Sequence, residues 1–318
     1  MAKCFSFTTT RDTCYRFSFE HAGLKSTTVV LDECTTIHCW SPKKPNPKKP
    51  NLVLLHGLGA NAMWQWDYFI SPLTPKFNIY VPDLIFFGES HTTRPERSET
   101  FQAQSVMRAM EKLNVKKMSV AGISYGGFVA YSMAAQFAEA VEKVVIVCAG
   151  VCLEEKDMED GMFKVNSVDE AADILLPQSS RKLRELLQLS FYKPIKLIPS
   201  CFLDDFIQVM CTEYREERKQ LIAALHKDRK LANLPKINQT TLIIWGEHDQ
   251  VFPVELAHRL KRYIGDSAQL VIVKKAGHAL NIEKPKHLYK NMKAFLLNKP
   301  LPKSASSSNE NSNSNSVK

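Results

Sequence analysis

The sequence lacks the features that mark membrane-spanning and secreted proteins. Its 318 residues contain no run approaching the roughly 20 apolar residues that cross a bilayer. The start, Met1–Glu20, has no apolar core of a secretory signal, so we expect a cytoplasmic protein without a transmembrane segment. The same stretch is rich in Ser and Thr and contains arginine, which leaves an organelle transit peptide as the alternative.

The cysteines lack the spacing of a metal or disulfide framework. All eight stand outside CxxC pairs, and no histidine lies at zinc-finger spacing from a cysteine pair. The sequence therefore predicts free thiols in a reducing compartment and no metal site.

The charge is unbalanced, with a formal net charge of +9. The densest basic run, Pro42–Pro50, has a proline at every second or third position, so we interpret it as a solvated loop rather than a polyanion-binding patch. No stretch interleaves aromatic and basic residues as a single-strand nucleic-acid groove does, so we expect no nucleic-acid partner.

Short apolar strands alternate with amphipathic helices along most of the chain. Strands are predicted at Thr27–Leu31, Thr35–Trp40, Leu52–Leu55, Phe77–Val81, Lys117–Ile123, Val144–Cys148, Thr241–Trp245 and Gln269–Val273. Helices are predicted between them, notably at Ser98–Asn114 and Gly126–Val141. This alternation predicts an α/β protein with a mostly parallel, doubly wound sheet.

The alternation stops over residues 151–231, where only helical segments follow one another. An all-helical insert of this kind predicts a cap over the carboxyl edge of the sheet. The expected organisation is an N-terminal extension (1–22), an α/β core (23–150 and 232–300), the cap (151–231) and a disordered tail (301–318), whose Ser/Asn-rich composition cannot form a core.

Gly122-Ile123-Ser124-Tyr125-Gly126 fits the G-x-S-x-G nucleophile pattern. The pattern gains meaning from its context, since an apolar strand precedes it and a small-residue helix follows it. A serine on such a turn adopts a strained backbone, and glycines on either side remove the side chains that would collide there. A glycine-rich packing turn is the structural alternative.

A serine nucleophile needs a base, and the base needs a partner that orients it. Asp249 follows the strand that ends at Trp245, and His278 follows the last strand, so both fall at the sheet edge where Ser124 lies. We therefore predict Ser124 as nucleophile, His278 as base and Asp249 as orienting acid.

Other residues compete for these roles. Asp83, after Pro82, is a second candidate acid, which we rank lower because it lies well upstream of the nucleophile. Glu247 and His248 are interpreted as surface residues of a polar turn, and His56 as a structural residue that holds loops.

The oxyanion of the tetrahedral intermediate needs two donors. We expect the backbone N–H groups of Tyr125 and Leu58 to supply them. The loop that contains Leu58 also fits a dinucleotide fingerprint, G-x-G-x-x-A over Gly57–Ala62. The imidazole before its first glycine and the bulky Met63–Trp66 after it disfavour that interpretation, so no cofactor is expected.

Together these residues resemble the α/β-hydrolase family, specifically the helical-cap branch of ester, lipid and carbon–carbon-bond hydrolases, in a plant-like form. The resemblance covers about residues 23–298 and rests on His56–Gly59, Pro82–Asp83, Gly88–Ser90, Gly122–Gly127, Gly246–Asp249, Gly277–His278 and Glu283–Pro285. It implies the α/β-hydrolase fold. A serine at the nucleophile position also excludes the family's epoxide hydrolases and haloalkane dehalogenases, which use aspartate there.

The expected function is hydrolysis of a small to medium apolar ester, of aromatic or acylglycerol type, through an acyl-enzyme. The pocket candidates are Trp64, Phe86, Phe191, Phe202 and Phe206, large apolar residues of the cap and of the loops after the early strands. Two alternatives remain: a hormone-type receptor on the same fold, and a thioesterase or carbon–carbon-bond hydrolase. The sequence does not predict an oligomeric state.

Overall fold

A mixed β-sheet with helices on both faces forms the core of the computed structural model, which describes residues 6–195 and 197–302. The strands in this part of the chain are β1 (Leu24–Val30), β2 (Thr35–Pro42), β3 (Asn51–Leu55), β4 (Asn78–Pro82), β5 (His91–Thr92), β6 (Met118–Ile123), β7 (Val141–Val147), β8 (Thr240–Gly246) and β9 (Ala268–Val273). The helices are α1 (Phe7–His21), α2 (Ala62–Leu73), α3 (Glu99–Lys112), α4 (Tyr125–Gln136), α5 (Lys156–Glu159), α6 (Val168–Leu175), α7 (Ser180–Ser190), α8 (Ser200–Met210), α9 (Arg215–His226), α10 (Glu255–Ile264), α11 (Leu280–Glu283) and α12 (Pro285–Leu296).

The strand order is β1-β2-β4-β3-β6-β7-β8-β9, with β5 paired to β2. The β1–β2 pair is antiparallel, and the six strands from β4 to β9 along the sheet run parallel. The middle strand β6 is buried along its whole length, because helices cover both of its faces. The predicted fold class is confirmed.

Five consecutive helices, α5 to α9, occupy the connection between β7 and β8. Four of them lie where the sequence predicted helices, and the short α5 was not predicted. Within this group, α7 and α8 pack around a small apolar cluster of their own, built from Leu183, Leu203, Ile207 and Cys211. The connection follows β7 at the carboxyl edge of the parallel strands, and its helices contribute walls to the cavities described below.

The segment expected to be an N-terminal extension contains helix α1. Its N-cap is Ser6, whose hydroxyl accepts a hydrogen bond from the backbone N–H of Thr9. Phe19 is fully buried against Trp40 of the sheet, with ring centroids 5.2 Å apart. At its other end, the backbone N–H of Thr8 donates to Asp205 of α8 at 2.7 Å. Helix α1 therefore joins the core to the cap.

The tail predicted to be disordered lies, from residue 303 on, outside the described residues. None of the described helices has the length and apolar character that a transmembrane span requires. The seven described cysteines form no disulfide with one another.

Candidate active site

Ser124 lies on the sharp turn between β6 and α4, with φ 53° and ψ −122°. The turn brings backbones so close that side chains are excluded at the neighbouring glycines. A Cβ on Gly122 would lie 2.0 Å from the carbonyl oxygen of Gly126, and a Cβ on Gly126 would lie 2.4 Å from that of Leu55. The predicted strand–turn–helix context of the motif is therefore present.

Ser124, His278 and Asp249 form one hydrogen-bonded chain. The Oγ of Ser124 lies 3.0 Å from Nε2 of His278, and Nδ1 of His278 lies 2.9 Å from Oδ2 of Asp249. The other carboxylate oxygen accepts hydrogen bonds from the backbone N–H groups of Val251 and Phe252, each at 2.9 Å. Because a carboxylate only accepts, His278 donates from Nδ1, which leaves Nε2 free to accept the serine proton.

The loop that carries His278 is held by Glu283. The Glu283 carboxylate accepts a 2.6 Å hydrogen bond from the backbone N–H of Gly277, and it also accepts from the backbone N–H groups of Tyr192 and Lys193. Since Tyr192 and Lys193 follow cap helix α7, one carboxylate connects the histidine loop to the cap. Glu283 entered the sequence analysis only through the family resemblance.

The two predicted oxyanion donors lie beside Ser124. A Cβ on Gly57 would come within 2.9 Å of the Ser124 Cβ, so the peptide between Gly57 and Leu58 runs directly past the serine. Tyr125 is the first residue of α4, where helix geometry leaves the N–H without a partner in the helix. Among the described residues, neither the Leu58 nor the Tyr125 backbone N–H donates a hydrogen bond.

The Gly57 peptide groups are fixed from two sides. The side-chain amide of Gln65 accepts from the Gly57 N–H at 2.7 Å and donates to its carbonyl oxygen at 3.2 Å. Nδ1 of His56 lies 2.8 Å from the same oxygen, and its Nε2 accepts from the backbone N–H of Leu84. Because the N–H of Leu58 points opposite to the Gly57 carbonyl in a trans peptide, these contacts also set its direction. Sequence reasoning missed Gln65.

The alternative candidates occupy structural positions. Asp83 is buried, with its carboxylate 2.8 Å from Nδ1 of His38 and accepting from the backbone N–H of Ala62 at the start of α2. His248 stacks on Tyr192, with ring centroids 4.5 Å apart. His56 is fully buried, and burial lowers its pKa, which favours the neutral ring.

Cys148, which follows β7, forms with Asp249 and His278 a group that has the spacing of metal ligands. Its Sγ lies within 4.8 Å of potential ligand atoms of Asp249 and His278. Burial raises the pKa of the Cys148 thiol well above its ordinary value, and the Asp249 carboxylate raises it further. A metal requires the thiolate, so the chemistry of this group does not suit a metal ion.

Two apolar chambers meet at Ser124. The small chamber has a volume of about 90 Å³ and is lined by Tyr125, Phe252 and side chains from α5, α6 and α9. The large chamber has a volume of about 370 Å³ and is lined by His278, Trp64 and side chains from α1, α7 and α8. Leu58, Leu175 and Leu186 border both. The reactive oxygen therefore faces apolar space on two sides.

Four of the five pocket candidates line the large chamber, namely Trp64, Phe191, Phe202 and Phe206. The expectation for Phe86 is wrong. Its ring is buried outside both chambers, between the guanidinium of Arg97 at 4.6 Å and the ring of Tyr214 at 5.6 Å. The positive φ of 75° at Phe86 turns the chain there, and its carbonyl oxygen accepts from the buried guanidinium of Arg218.

Comparison with known proteins shows the family of this chain. The model of the alpha/beta hydrolase family matches residues 52–289, about three quarters of the chain. The chain belongs to the alpha/beta hydrolase family. This match confirms the predicted family, and the lipases among its relatives confirm the predicted enzyme class, a hydrolase.

The names of several similar proteins describe lipases. The chain is 28% identical over 272 residues to monoacylglycerol lipase ABHD6 of Mus musculus, covering 81% of this chain and 79% of the relative. It is 26% identical over 258 residues to Lipase 3 of a Moraxella species, covering 77% and 76%. Among solved structures, a protein of Acinetobacter baumannii provisionally identified as a lipase superposes with a TM-score of 0.76 at 25% identity, covering 90% of this chain and 95% of that one.

Proposed function

We propose that this alpha/beta hydrolase cleaves apolar carboxylic esters with Ser124 as its nucleophile. The observation that carries the proposal is the position of the Ser124 hydroxyl, 3.0 Å from Nε2 of His278 at the point where the two apolar chambers meet. The relatives named monoacylglycerol lipase and lipase support an ester as the substrate class.

The reaction proceeds in two steps. Nε2 of His278 takes the Ser124 proton as the oxygen attacks the ester carbonyl, and Asp249 stabilises the imidazolium that forms. The N–H groups of Leu58 and Tyr125 stabilise the oxyanion, each contributing about 3–4 kcal/mol to the transition state. His278 then protonates the leaving alcohol, and afterwards it activates the water that releases the acid.

The position of His278 supports an assignment of the two halves of the substrate to the two chambers. The leaving oxygen has to come within hydrogen-bond reach of Nε2 to receive its proton. His278 lines the large chamber and not the small one, whereas Tyr125 lines the small chamber and not the large one. The alcohol half therefore occupies the large chamber, and the acyl half occupies the small one.

The chamber sizes then favour one kind of ester as the substrate. A chamber of about 90 Å³ is smaller than a cavity of roughly 150 Å³ that accepts benzene, so it suits a short acyl group. The large chamber suits a bulky alcohol, and its Trp64, Phe191 and Phe206 walls favour an apolar one. We therefore propose esters of large apolar alcohols as better substrates than monoacylglycerols. The glycerol hydroxyls of a monoacylglycerol would lose their hydrogen bonds to water against a mainly apolar wall.

The nucleophile is tested by labelling. A fluorophosphonate probe followed by peptide mass spectrometry is expected to modify Ser124 alone, and Ser124→Ala is expected to remove both labelling and ester hydrolysis. The fold of the variant is checked by circular dichroism. Ester hydrolysis that persists in Ser124→Ala would refute the proposed mechanism.

The substrate assignment is tested with two series of esters. In one, acetate is kept and the alcohol is lengthened or made aromatic; in the other, the alcohol is kept and the acyl chain is lengthened. We expect kcat/KM to rise along the first series and to fall along the second. The reverse result would place the acyl chain in the large chamber while leaving the role of Ser124 intact.

A further inference from the structure

Exposed apolar side chains from four separate elements lie on the wall of the large chamber or in the connection between two of its lining residues. Phe7 of α1, Phe202 of α8 and Ile282 of α11 border the chamber and are 48%, 44% and 61% exposed. Between α7 and α8, Ile195 and Leu197 are 69% and 92% exposed. We refer to these five side chains as the apolar rim.

The rim is continuous with the chamber. The rings of Phe7 and Phe202 are in edge contact, with centroids 5.4 Å apart. Ile195 and Leu197 lie in a segment whose ends, Phe191 and Ile198, both line the chamber. Three exposed apolar side chains on the chamber wall, with two more in the connection between lining residues, differ from scattered surface residues and indicate a surface that another apolar phase covers.

Basic side chains flank the rim. Lys193 precedes Ile195 by two residues, and Lys286 and His287 follow Ile282 at the start of α12; all three are exposed. The nearby Glu283 carboxylate is occupied by backbone N–H groups from Gly277, Tyr192 and Lys193. The net charge of +9 has the same sign as this cluster.

We propose that the apolar rim docks on the surface of an anionic lipid bilayer. In this arrangement Ile195 and Leu197 reach below the headgroups, while the Lys193 and Lys286 ammonium groups lie at the level of the lipid phosphates. Since three rim side chains lie on the wall of the large chamber, an apolar substrate passes from the membrane into the chamber without crossing water. Bilayer binding does not depend on the proposed ester hydrolysis, whereas the delivery of substrate does.

The charge pattern favours a bilayer over a second copy of the chain. Two copies joined through their rims would bring the same lysine cluster against itself, and like charges oppose such contact. An anionic headgroup layer instead complements the lysines and offers apolar depth for side chains that come from several elements.

The proposal is tested by sedimentation of the full chain with vesicles. Wild-type protein is expected to bind vesicles that contain equal parts of phosphatidylcholine and phosphatidylserine, and to bind pure phosphatidylcholine much more weakly. The double variant Ile195→Ser/Leu197→Ser is expected to lose about tenfold or more of its binding, because two apolar side chains no longer enter the bilayer. Each of Lys193→Gln and Lys286→Gln is expected to lose about fivefold, and only at low salt.

The matched control is Val30→Ser/Phe17→Ser. These two side chains are similarly exposed, at 58% and 69%, and line neither chamber. The control is expected to bind vesicles like the wild type. Both double variants are expected to hydrolyse a water-soluble ester normally, which shows that they are folded, while only the rim variant slows on an ester embedded in vesicles.

Three outcomes overturn the proposal: wild-type protein that does not sediment with anionic vesicles, a rim variant that binds as well as the wild type, and a control variant that loses as much binding. A rim variant that changes the oligomeric state in light scattering, with vesicle binding unchanged, would assign the rim to a contact between copies instead. If vesicle binding follows the expectations but no ester is cleaved, docking stands and the proposed function fails.

Discussion

The backbone of Ser124 has φ 53° and ψ −122°, a region that glycine enters freely and that a Cβ makes costly. The residue therefore carries strain that its position on the turn between β6 and α4 requires. Ser124→Gly removes the Cβ, whereas Ser124→Ala retains it. Both variants lose the hydroxyl and its hydrogen bond to His278, so that loss does not enter their difference in stability.

The expected difference is modest, and the mid-range values of the opposing contributions make it positive. Relief of a residue in such a region is worth about 1–3 kcal/mol. Against this, glycine costs roughly 0.5–1 kcal/mol of chain entropy, and loss of the Cβ contact with Gly57 costs less than about 0.8 kcal/mol. We expect Ser124→Gly to exceed Ser124→Ala in free energy of unfolding by about 1 kcal/mol.

Thermal unfolding of the two variants measures this difference, and a gain of about 1 kcal/mol raises Tm by roughly 2–4 °C in a protein somewhat smaller than this one. Urea unfolding at fixed pH supplies the free energies directly. A Ser124→Gly protein that is equal to or less stable than Ser124→Ala would refute the argument that the turn is strained by its Cβ.

The remaining predictions concern the machinery around the serine. Asp249→Asn is expected to lower kcat about 10⁴-fold because the His278 tautomer is lost; a loss below about tenfold would show that another acid orients the ring. Gln65→Met is expected to lower kcat about tenfold with little change in KM, since the Leu58 N–H is then less well directed at the oxyanion; a rise in KM at constant kcat would contradict this role. Burial lowers the pKa of His56 in the folded chain. As pH falls below about 6.5, the His56 ring therefore takes up a proton in the unfolded chain before it does so in the folded chain. The free energy of unfolding should therefore be highest above that pH and decline below it by up to about 1.4 kcal/mol per pH unit. His56→Asn should flatten this slope in urea titrations, and an unchanged slope would assign it to other groups.

Some parts of the fold are strongly encoded in local sequence. The buried parallel strands are short apolar runs bounded by turn residues, and they appear within a few residues of their predicted limits. Positions at strand ends are equally local, so Asp249 and His278 could be placed at the edge of the sheet before their distances to Ser124 were known. The candidate triad follows from sequence because each member belongs to a turn with its own signature.

Helix α1 was missed because its local signals are weak. Its Thr-rich sequence has poor helix propensity, and the helix is stabilised by contacts that are distant along the chain, such as Phe19 with Trp40 and Thr8 with Asp205. The Ser6 cap and the spacing of Tyr15 and Phe19 were the signals available.

The pocket also combines features encoded in local sequence with features set by contacts distant along the chain. Phe86 has the composition of a pocket residue, yet its positive φ and its contacts with Arg97 and Tyr214 direct the ring elsewhere. Gln65 gains its role only because α2 brings its amide to Gly57. Sequence by itself therefore determined the sheet, the turns and the candidate triad, which depend on periodicity and local backbone demands. The two chambers, the anchoring of the oxyanion loop and the apolar rim were decided by tertiary structure, because each is formed by side chains that meet only when separate elements pack together.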